Sequence, residues 1–333
     1  MVFKQTLTGR NITTVKYHNL HAILLALLHH QHLSRVDLAR LTGLSNSTIT
    51  NLVAELMEQG IAVEEGTTPL KRRPGAGRPR RALRLVPDAR LTLGVHIGVG
   101  HIRLALTDLR ANILDFQSFT HPLNKSATAV LDTIVCGIKR IIDINEVNRQ
   151  EIVGIGVGAS GLVDPETGVN VTAPNLGWKD VPIKDYLGMR LELPVVVDNN
   201  VRAMALGEAL FGSAQNVQLL AFVYARYGVG AGFVLGGHLF RGSGAGAGEI
   251  GHTAMTIDGG DLCRCGNRGC LEPLVSEPSI VAEAKKIAEH DRNGQLAHYL
   301  HACEKPTIEE VFAAARAGDT ATQNLLNERA RYM

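Results

Sequence analysis

Residues 248–272 read GEIGHTAMTIDGGDLCRCGNRGCLE and hold His252, Cys263, Cys265 and Cys270 in the spacing H-x10-C-x-C-x4-C. Three soft thiolates and one imidazole form a closed four-ligand set, which suits tetrahedral zinc and leaves no open position for catalysis. Gly266 and Gly269 allow the loop to turn tightly around an ion. The competing reading is a turn with buried thiols. It is disfavoured because three of the chain's five cysteines fall within these few positions. One structural zinc per chain is therefore expected, and Cys136 and Cys303 are expected to be core or partly buried residues.

The segment carries a second layer of information. Glu249-Ile250-Gly251-His252, followed by the run from Cys263 to Glu272, resembles the signature of the ROK family of bacterial sugar kinases, transcriptional repressors and open reading frames. The match combines a metal set with carboxylates at set positions around it, and the resemblance extends over most of the chain. It implies an α/β domain of the actin-like ATPase (ribonuclease H-like) fold, two-lobed and sugar-binding. In the repressor branch this domain follows a winged helix-turn-helix.

The chain has 333 residues, enough for two or three domains. No run of 18 apolar residues is present to cross a membrane, and the N-terminus lacks the apolar segment of a signal peptide. Cysteine use fits metal binding in a reducing compartment, so the cytoplasm is expected. The net charge of +2 conceals an asymmetry: residues 1–90 contain 13 Lys or Arg against 6 Asp or Glu. A basic head on an acidic body points to an anionic partner for the head.

Within that head, Leu20, Ile23, Leu24, Leu27 and Leu28 recur at helical spacing. Ser34 with Asp37 signals a helix start, Thr42-Gly43-Leu44 a turn, and Ser45 the cap of a third helix that stops near Gly60. Helices joined by a glycine-containing turn make a helix-turn-helix, which leaves Ser45, Asn46, Ser47, Thr48, Thr50 and Asn51 to meet DNA. Two short strands, 61–65 and 82–86, flank a basic segment rich in Pro and Gly. Arg72, Arg73, Arg78, Arg80 and Arg81 there read as phosphate or minor-groove contacts on a wing. The expected domains are 1–86 for DNA binding and 87–333 for sugar binding, the latter divided into lobes at 87–200 and 201–333. The family's usual C-terminal elements are not matched at the end of the second lobe.

In the body, a hairpin over 91–106, a strand over 113–119, a helix over 127–142 and a strand from 152 suggest a mixed sheet. The strand over 193–197 delivers Asp198-Asn199-Asn200 at its C-terminal end, where ligands gather in α/β folds. Trp178 could pack a sugar face or serve as a buried anchor. The resemblance assigns sugar contacts to Asn175, Asp198, Glu249, His252 and Glu272, with Asp198 at the kinase base position. Asp198 could otherwise be a helix N-cap and Glu272 a surface acid.

The family's phosphate loops depart from pattern here. His96-Ile97-Gly98-Val99-Gly100 lacks the acid, the second glycine and the hydroxyl of the first loop, and Arg226-Tyr227-Gly228-Val229-Gly230 carries bulky side chains in the second. These departures lead to the expectation of no enzymatic activity, with Asp198 a vestigial base. The expected protein is a repressor of carbohydrate genes whose kinase-like domain senses a monosaccharide or sugar phosphate. It would bind double-stranded operator DNA as a homodimer or higher oligomer, without membrane insertion, and a transport protein could be a further partner. The alternative is an ATP-dependent ROK sugar kinase with an accessory N-terminal domain.

Overall fold

A computed structural model describes residues 12–30, 32–67, 81–122, 125–215, 217–242, 246–256 and 258–333. The chain divides into two compact units: residues 1–93 with 105–115 and 144–153, and residues 94–104 with 116–143 and 154–333.

The first unit begins with helices α1 (Ile12–His29), α2 (Arg35–Thr42) and α3 (Asn46–Glu58). Ser34 and Asp37 form a full capping box at the start of α2, and Gly43 ends it in the left-handed region at φ 70°. That glycine sets the turn into α3, whose N-cap is Ser45. Strands β1 (Ala62–Thr67) and β2 (Arg81–Leu85) pair antiparallel, Ala62 opposite Leu85. Ile23, Leu27, Leu38, Ile49, Val53, Leu83 and their neighbours form one core beneath all five elements. Each such side chain contributes about 1.5–3 kcal/mol of burial. Arg72, Arg73, Arg78 and Arg80 lie outside the described residues.

The following strands are β3 (Leu91–Gly98), β4 (His101–Asp108) and β5 (Ile113–Thr120). Helix α4 (Ala127–Ile144) buries one face through Leu131, Ile134, Ile138 and Ile141. Strand β6 (Ile152–Ala159) leads to the small antiparallel sheet β7 (Leu162–Asp164), β8 (Val169–Ala173) and β9 (Trp178–Pro182). Helix α5 (Ile183–Leu191) returns the chain to β10 (Val195–Asn199), which pairs parallel with β6. The five-stranded sheet has the order β10-β6-β3-β4-β5.

Helix α6 (Asn200–Phe211) then packs on a second sheet of β11 (Leu219–Ala225), β12 (Val229–Leu235) and β13 (His238–Phe240). Gly232 lies where α6 approaches the sheet, since a Cβ there would come within 2.5 Å of the Ala205 side chain. The chain closes with α7 (Glu272–Val275), α8 (Glu277–His290), α9 (Gln295–His301), α10 (Ile308–Arg316) and α11 (Thr320–Ala330). Helices α8 to α11 share a core around Val281, Ala284, Leu300, Val311 and Leu325.

Several local expectations change. Cys136 and Cys303 are exposed rather than buried. The small sheet β7–β9 and helices α5 and α9 had no clear sequence signal, because short runs interrupted by Gly, Pro and Asp carry little periodicity. Trp178 resolves as a buried anchor, 5% exposed and paired in β9 with Ala173.

Candidate sugar cavity and metal cluster

A cavity of about 400 Å³ opens in the second unit, a size typical of small-molecule sites. Asn175, Glu249, His252 and Glu272 all line it. Asn175 sits in the turn between β8 and β9, and its Oδ1 accepts from Arg264 Nη1 of the cysteine loop. Glu272 opens α7; it is buried, and its Oε2 accepts from the Val229 amide at 3.1 Å. Gly228 lies beside both residues. A Cβ there would sit 3.0 Å from Glu272 Oε2 and 3.5 Å from Asn175 Nδ2, so a larger residue in the β11–β12 turn would crowd both side chains.

Glu249 precedes the short 3-10 turn Ile250–His252. Burial pushes its carboxyl above the usual range, and the nearby His252 and Arg202 oppose that rise. Gly248 directs Glu249 into place. It has φ +97°, and a Cβ would fall 1.9 Å from the Ala231 carbonyl oxygen. No other residue type fits that backbone and that contact.

Asp198 stands apart from these four. It is 8% exposed, at the end of β10, and is not among the cavity-lining residues. Its Oδ1 accepts from Arg202 Nε at 2.6 Å and from the Asn199 amide at 2.7 Å. Its Oδ2 accepts from Arg241 Nη2 at 2.9 Å and Nε at 3.2 Å. The N-cap role falls instead to Asn199, whose side chain accepts from the Val201 and Arg202 amides.

The remaining wall comes from residues that the sequence reading left unassigned, including His101, Ser160, Tyr224, Asn200 and Arg264. His96 and His101 face each other across the β3–β4 turn, ring centroids 5.2 Å apart. Burial, with the charges of His101 and Arg103 behind it, lowers His96 to about 4. Its Nδ1 is buried without a hydrogen-bond partner. Burial also lowers His101, whose Nδ1 lies 3.0 Å from the Val99 carbonyl oxygen.

The four sequence-predicted ligands converge. The donor atoms of His252, Cys263, Cys265 and Cys270 lie within 4.8 Å of one another. Cys265 Sγ and Cys270 Sγ are 3.8 Å apart, close to the edge of a tetrahedron with metal–sulfur bonds of about 2.3 Å. Cys263 Sγ is 3.5 Å from His252 Nδ1, and the other ring nitrogen, Nε2, is 3.9 Å from Glu249 Oε2. Gly266 and Gly269 both take positive φ, 95° and 73°, as the tight loop requires. Burial and the neighbouring thiols push Cys270 up to about 12. Packed this closely, the thiols ionise together only if a cation compensates them, so the donor set fits a metal ion.

In the first unit, Ser45, Asn46, Ser47, Thr50 and Asn51 are exposed along the start of α3, and Thr48 is half-buried. Some of their hydrogen-bonding capacity is already used. Ser45 Oγ accepts from the Thr48 amide at 3.1 Å, and Thr50 Oγ1 donates to the Asn46 carbonyl at 2.8 Å. Ser47 Oγ also lies 2.9 Å from Ser45 Oγ, which leaves Asn46 and Asn51 as the exposed side chains outside these local bonds. Arg81, the described arginine of the wing set, is exposed and pairs with Glu64 Oε2 at 3.2 Å.

The ROK family model matches residues 92–333, and a winged helix-turn-helix DNA-binding model matches residues 18–62. The xylose repressor of Bacillus subtilis is 32% identical over 284 residues, 84% of this chain and 72% of the repressor. A ROK family transcriptional regulator homologous to the Escherichia coli MLC protein superposes with a TM-score of 0.78 at 27% identity, covering 95% of this chain and 78% of that one. A ROK family glucokinase from Streptomyces griseus, solved with glucose and AMPPNP, gives 0.64 at 31% identity over 73% of this chain and 76% of its own. These likenesses place an N-terminal helix-turn-helix before a mixed α/β domain of the actin and hexokinase type.

The glucokinase likeness overturns the expectation of no enzymatic activity. That expectation rested on side chains at residues 96–100 and 226–230. Phosphate cradles of this kind are built from backbone amides at glycine turns. Gly100 and Gly228 remain in those turns, Gly98 and Gly230 at the flanking strand ends, and Asp198 near the end of its strand. Phosphoryl transfer therefore stays among the activities this scaffold supports.

Proposed function

This chain belongs to the ROK family, and from that membership we propose how it works as a sugar-responsive transcriptional regulator. Residues 1–86 bind operator DNA, and residues 87–333 bind the effector. One observation carries the reading: a single chain joins a winged helix-turn-helix to a cavity walled by Asn175, Glu249, His252 and Glu272. Carboxylates accept from sugar hydroxyls, and an amide both donates and accepts. The site thus has the chemistry of a monosaccharide pocket. Asp198 joins it once its own arginine contacts rearrange.

Zinc held by His252, Cys263, Cys265 and Cys270 has a structural role, pinning the loop from Glu249 to Glu272. The ion supplies positive charge to the thiolates and no step of a reaction. Histidine Nδ1 faces the thiolates, which leaves Nε2 toward Glu249 and the cavity. The protein works as a homodimer, because a single helix-turn-helix reads too few base pairs to select a genomic site. Asn46, Ser47 and Asn51 of α3 read bases, and the wing arginines, Arg81 among them, hold phosphates. No described helix is long and apolar enough to cross a membrane; a cytoplasmic site of action is part of the proposal.

The effector acts by preferring one of two conformations of the chain, since equal affinity for both would shift nothing. Calorimetry against neutral and phosphorylated monosaccharides tests the pocket. Wild type should bind one of them, and Asp198→Ala and Glu249→Ala should each weaken binding by about tenfold or more, the loss of a charged hydrogen bond to a buried group. The pocket reading fails if no sugar binds, or if both variants bind as wild type does. A second reading, phosphorylation of the bound sugar, is favoured by the likeness to the glucose-bound glucokinase. Coupled ATP turnover with the same sugars examines it in parallel.

A further inference from the structure

Building on the reading that Asp198 belongs to the sugar site, we propose that Arg241 is a displaceable latch on Asp198, which gives way when a sugar hydroxyl takes its place. The inference follows from counting lone pairs. An ionised carboxylate has about four acceptor positions. Here Oδ1 accepts from the Asn199 amide and Arg202 Nε, at 2.7 and 2.6 Å, and Oδ2 accepts twice from Arg241, at 2.9 and 3.2 Å. Asp198 has no acceptor position to spare. A sugar hydroxyl can donate to it only if one of these donors leaves.

The donors differ in how firmly they are held. The Asn199 amide is backbone at the start of α6, and the Asn199 side chain is itself committed, capping that helix and donating to the Gly161 carbonyl at 2.8 Å. The Arg202 side chain is 2% exposed, stands in the first turn of α6 four residues after Asp198, and gives Nη2 to the Val163 carbonyl at 3.0 Å. Pulling it away would strand a buried guanidinium. The Arg241 side chain is 44% exposed and follows directly after β13. It can exchange Asp198 for water at little cost, because a half-exposed ion pair is weak. Arg241 is therefore the donor that leaves.

Arg202 and Arg241 thus have separate parts. Arg202 is a positioning residue: it holds the Asp198 carboxylate in orientation whether or not a sugar is present. Arg241 competes with the sugar and sets a threshold for it. The competition raises the apparent dissociation constant by the inverse of the fraction of molecules with the latch open. The logic is the same whether the bound sugar is only sensed or is also phosphorylated.

The test is calorimetry of the full chain with D-xylose and D-glucose at low and high salt. It compares wild type with Arg241→Ala, Arg241→Gln and Asp198→Ala. Removing the latch should tighten sugar binding about threefold to fivefold, as loss of a half-exposed ion pair allows. Wild-type affinity should rise with salt as the ion pair is screened, whereas both Arg241 variants should lose that dependence. A merely structural Arg241 would not produce this salt signature, and the wild-type arm needs no variant to fold. Equal or weaker binding by the Arg241 variants, or wild-type affinity flat or falling with salt, overturns the latch. If Asp198→Ala loses binding in that case, the pocket reading survives. If Asp198→Ala binds as wild type does, the latch falls; the pocket reading falls with it if Glu249→Ala also binds as wild type does, or if no sugar of the neutral and phosphorylated panel binds any of the proteins.

Discussion

His96 shows how one residue can report on its surroundings. Burial and neighbouring positive charge lower its pKa from 6.5 to about 4. Below pH 6.5 the unfolded chain takes up a proton that the folded imidazole refuses until pH falls to about 4. Stability therefore rises with pH across that window and is lost on acidification. In wild type this single group should cost about 1–3 kcal/mol between pH 6.5 and 4, as an order of magnitude. Urea unfolding across that range should show a steeper acid loss for wild type than for His96→Gln. Parallel profiles would remove this account of the imidazole. The sequence exposed His96 as a misfit in a loop but gave no sign of its environment. Its partner His101 and the charge of Arg103 face it only after β3 turns back into β4. Arg241 was invisible for a similar reason: it meets Asp198 from 43 residues away.

Elements were far more legible where local chemistry sets them. Ser34 with Asp37 and Ser45 mark their helix starts because a cap needs only its own next three residues. The stretch from Gly248 to Glu272 shows the same locality. Its four donor residues, its glycines and its two glutamates all lie within one segment, so spacing alone brings the ligands together. Elemental analysis should find one zinc per chain. Cys265→Ser should lose it and weaken sugar binding by about tenfold or more, since Glu249 and Glu272 would no longer be pinned. Wild type without stoichiometric metal while its cysteines are reduced would refute the zinc. Full sugar affinity in the metal-free variant would refute the pinning. Conversely, β7 to β9 escaped notice because each is short and paired through residues the sequence separates by turns.

At the scale of the whole molecule, sugar and operator act on one chain, and their effects on each other are bound by linkage. If the effector changes operator affinity by some factor, the operator must change effector affinity by the same factor. Anisotropy titrations of labelled operator with and without sugar give one factor, and calorimetry of sugar with and without operator gives the other. A coupling of about 5–150-fold is typical of such switches. A factor of one at matched salt would mean that sugar and operator are not coupled through this chain, whereas unequal factors would mean only that one titration was not at equilibrium. Salt must be matched because phosphate contacts make DNA affinity steeply salt-dependent.

Sequence by itself determined the parts whose physics is local: the His/Cys cluster that could hold a metal, the capped helices of the helix-turn-helix, the basic character of the head, and the family signature. It also named Asn175, Glu249, His252 and Glu272, which the fold brings to one cavity. Tertiary structure alone decided that Trp178 is a buried anchor, that Cys136 and Cys303 face solvent, and that Asp198 is bonded to two arginines and not among the cavity-lining residues. It also supplied the scaffold likeness that returned catalysis to consideration. The physical reason is range. Caps, turns and clustered thiols act over a few residues. The fate of a carboxylate depends on every donor that packing brings within hydrogen-bond distance, from whatever distance along the chain.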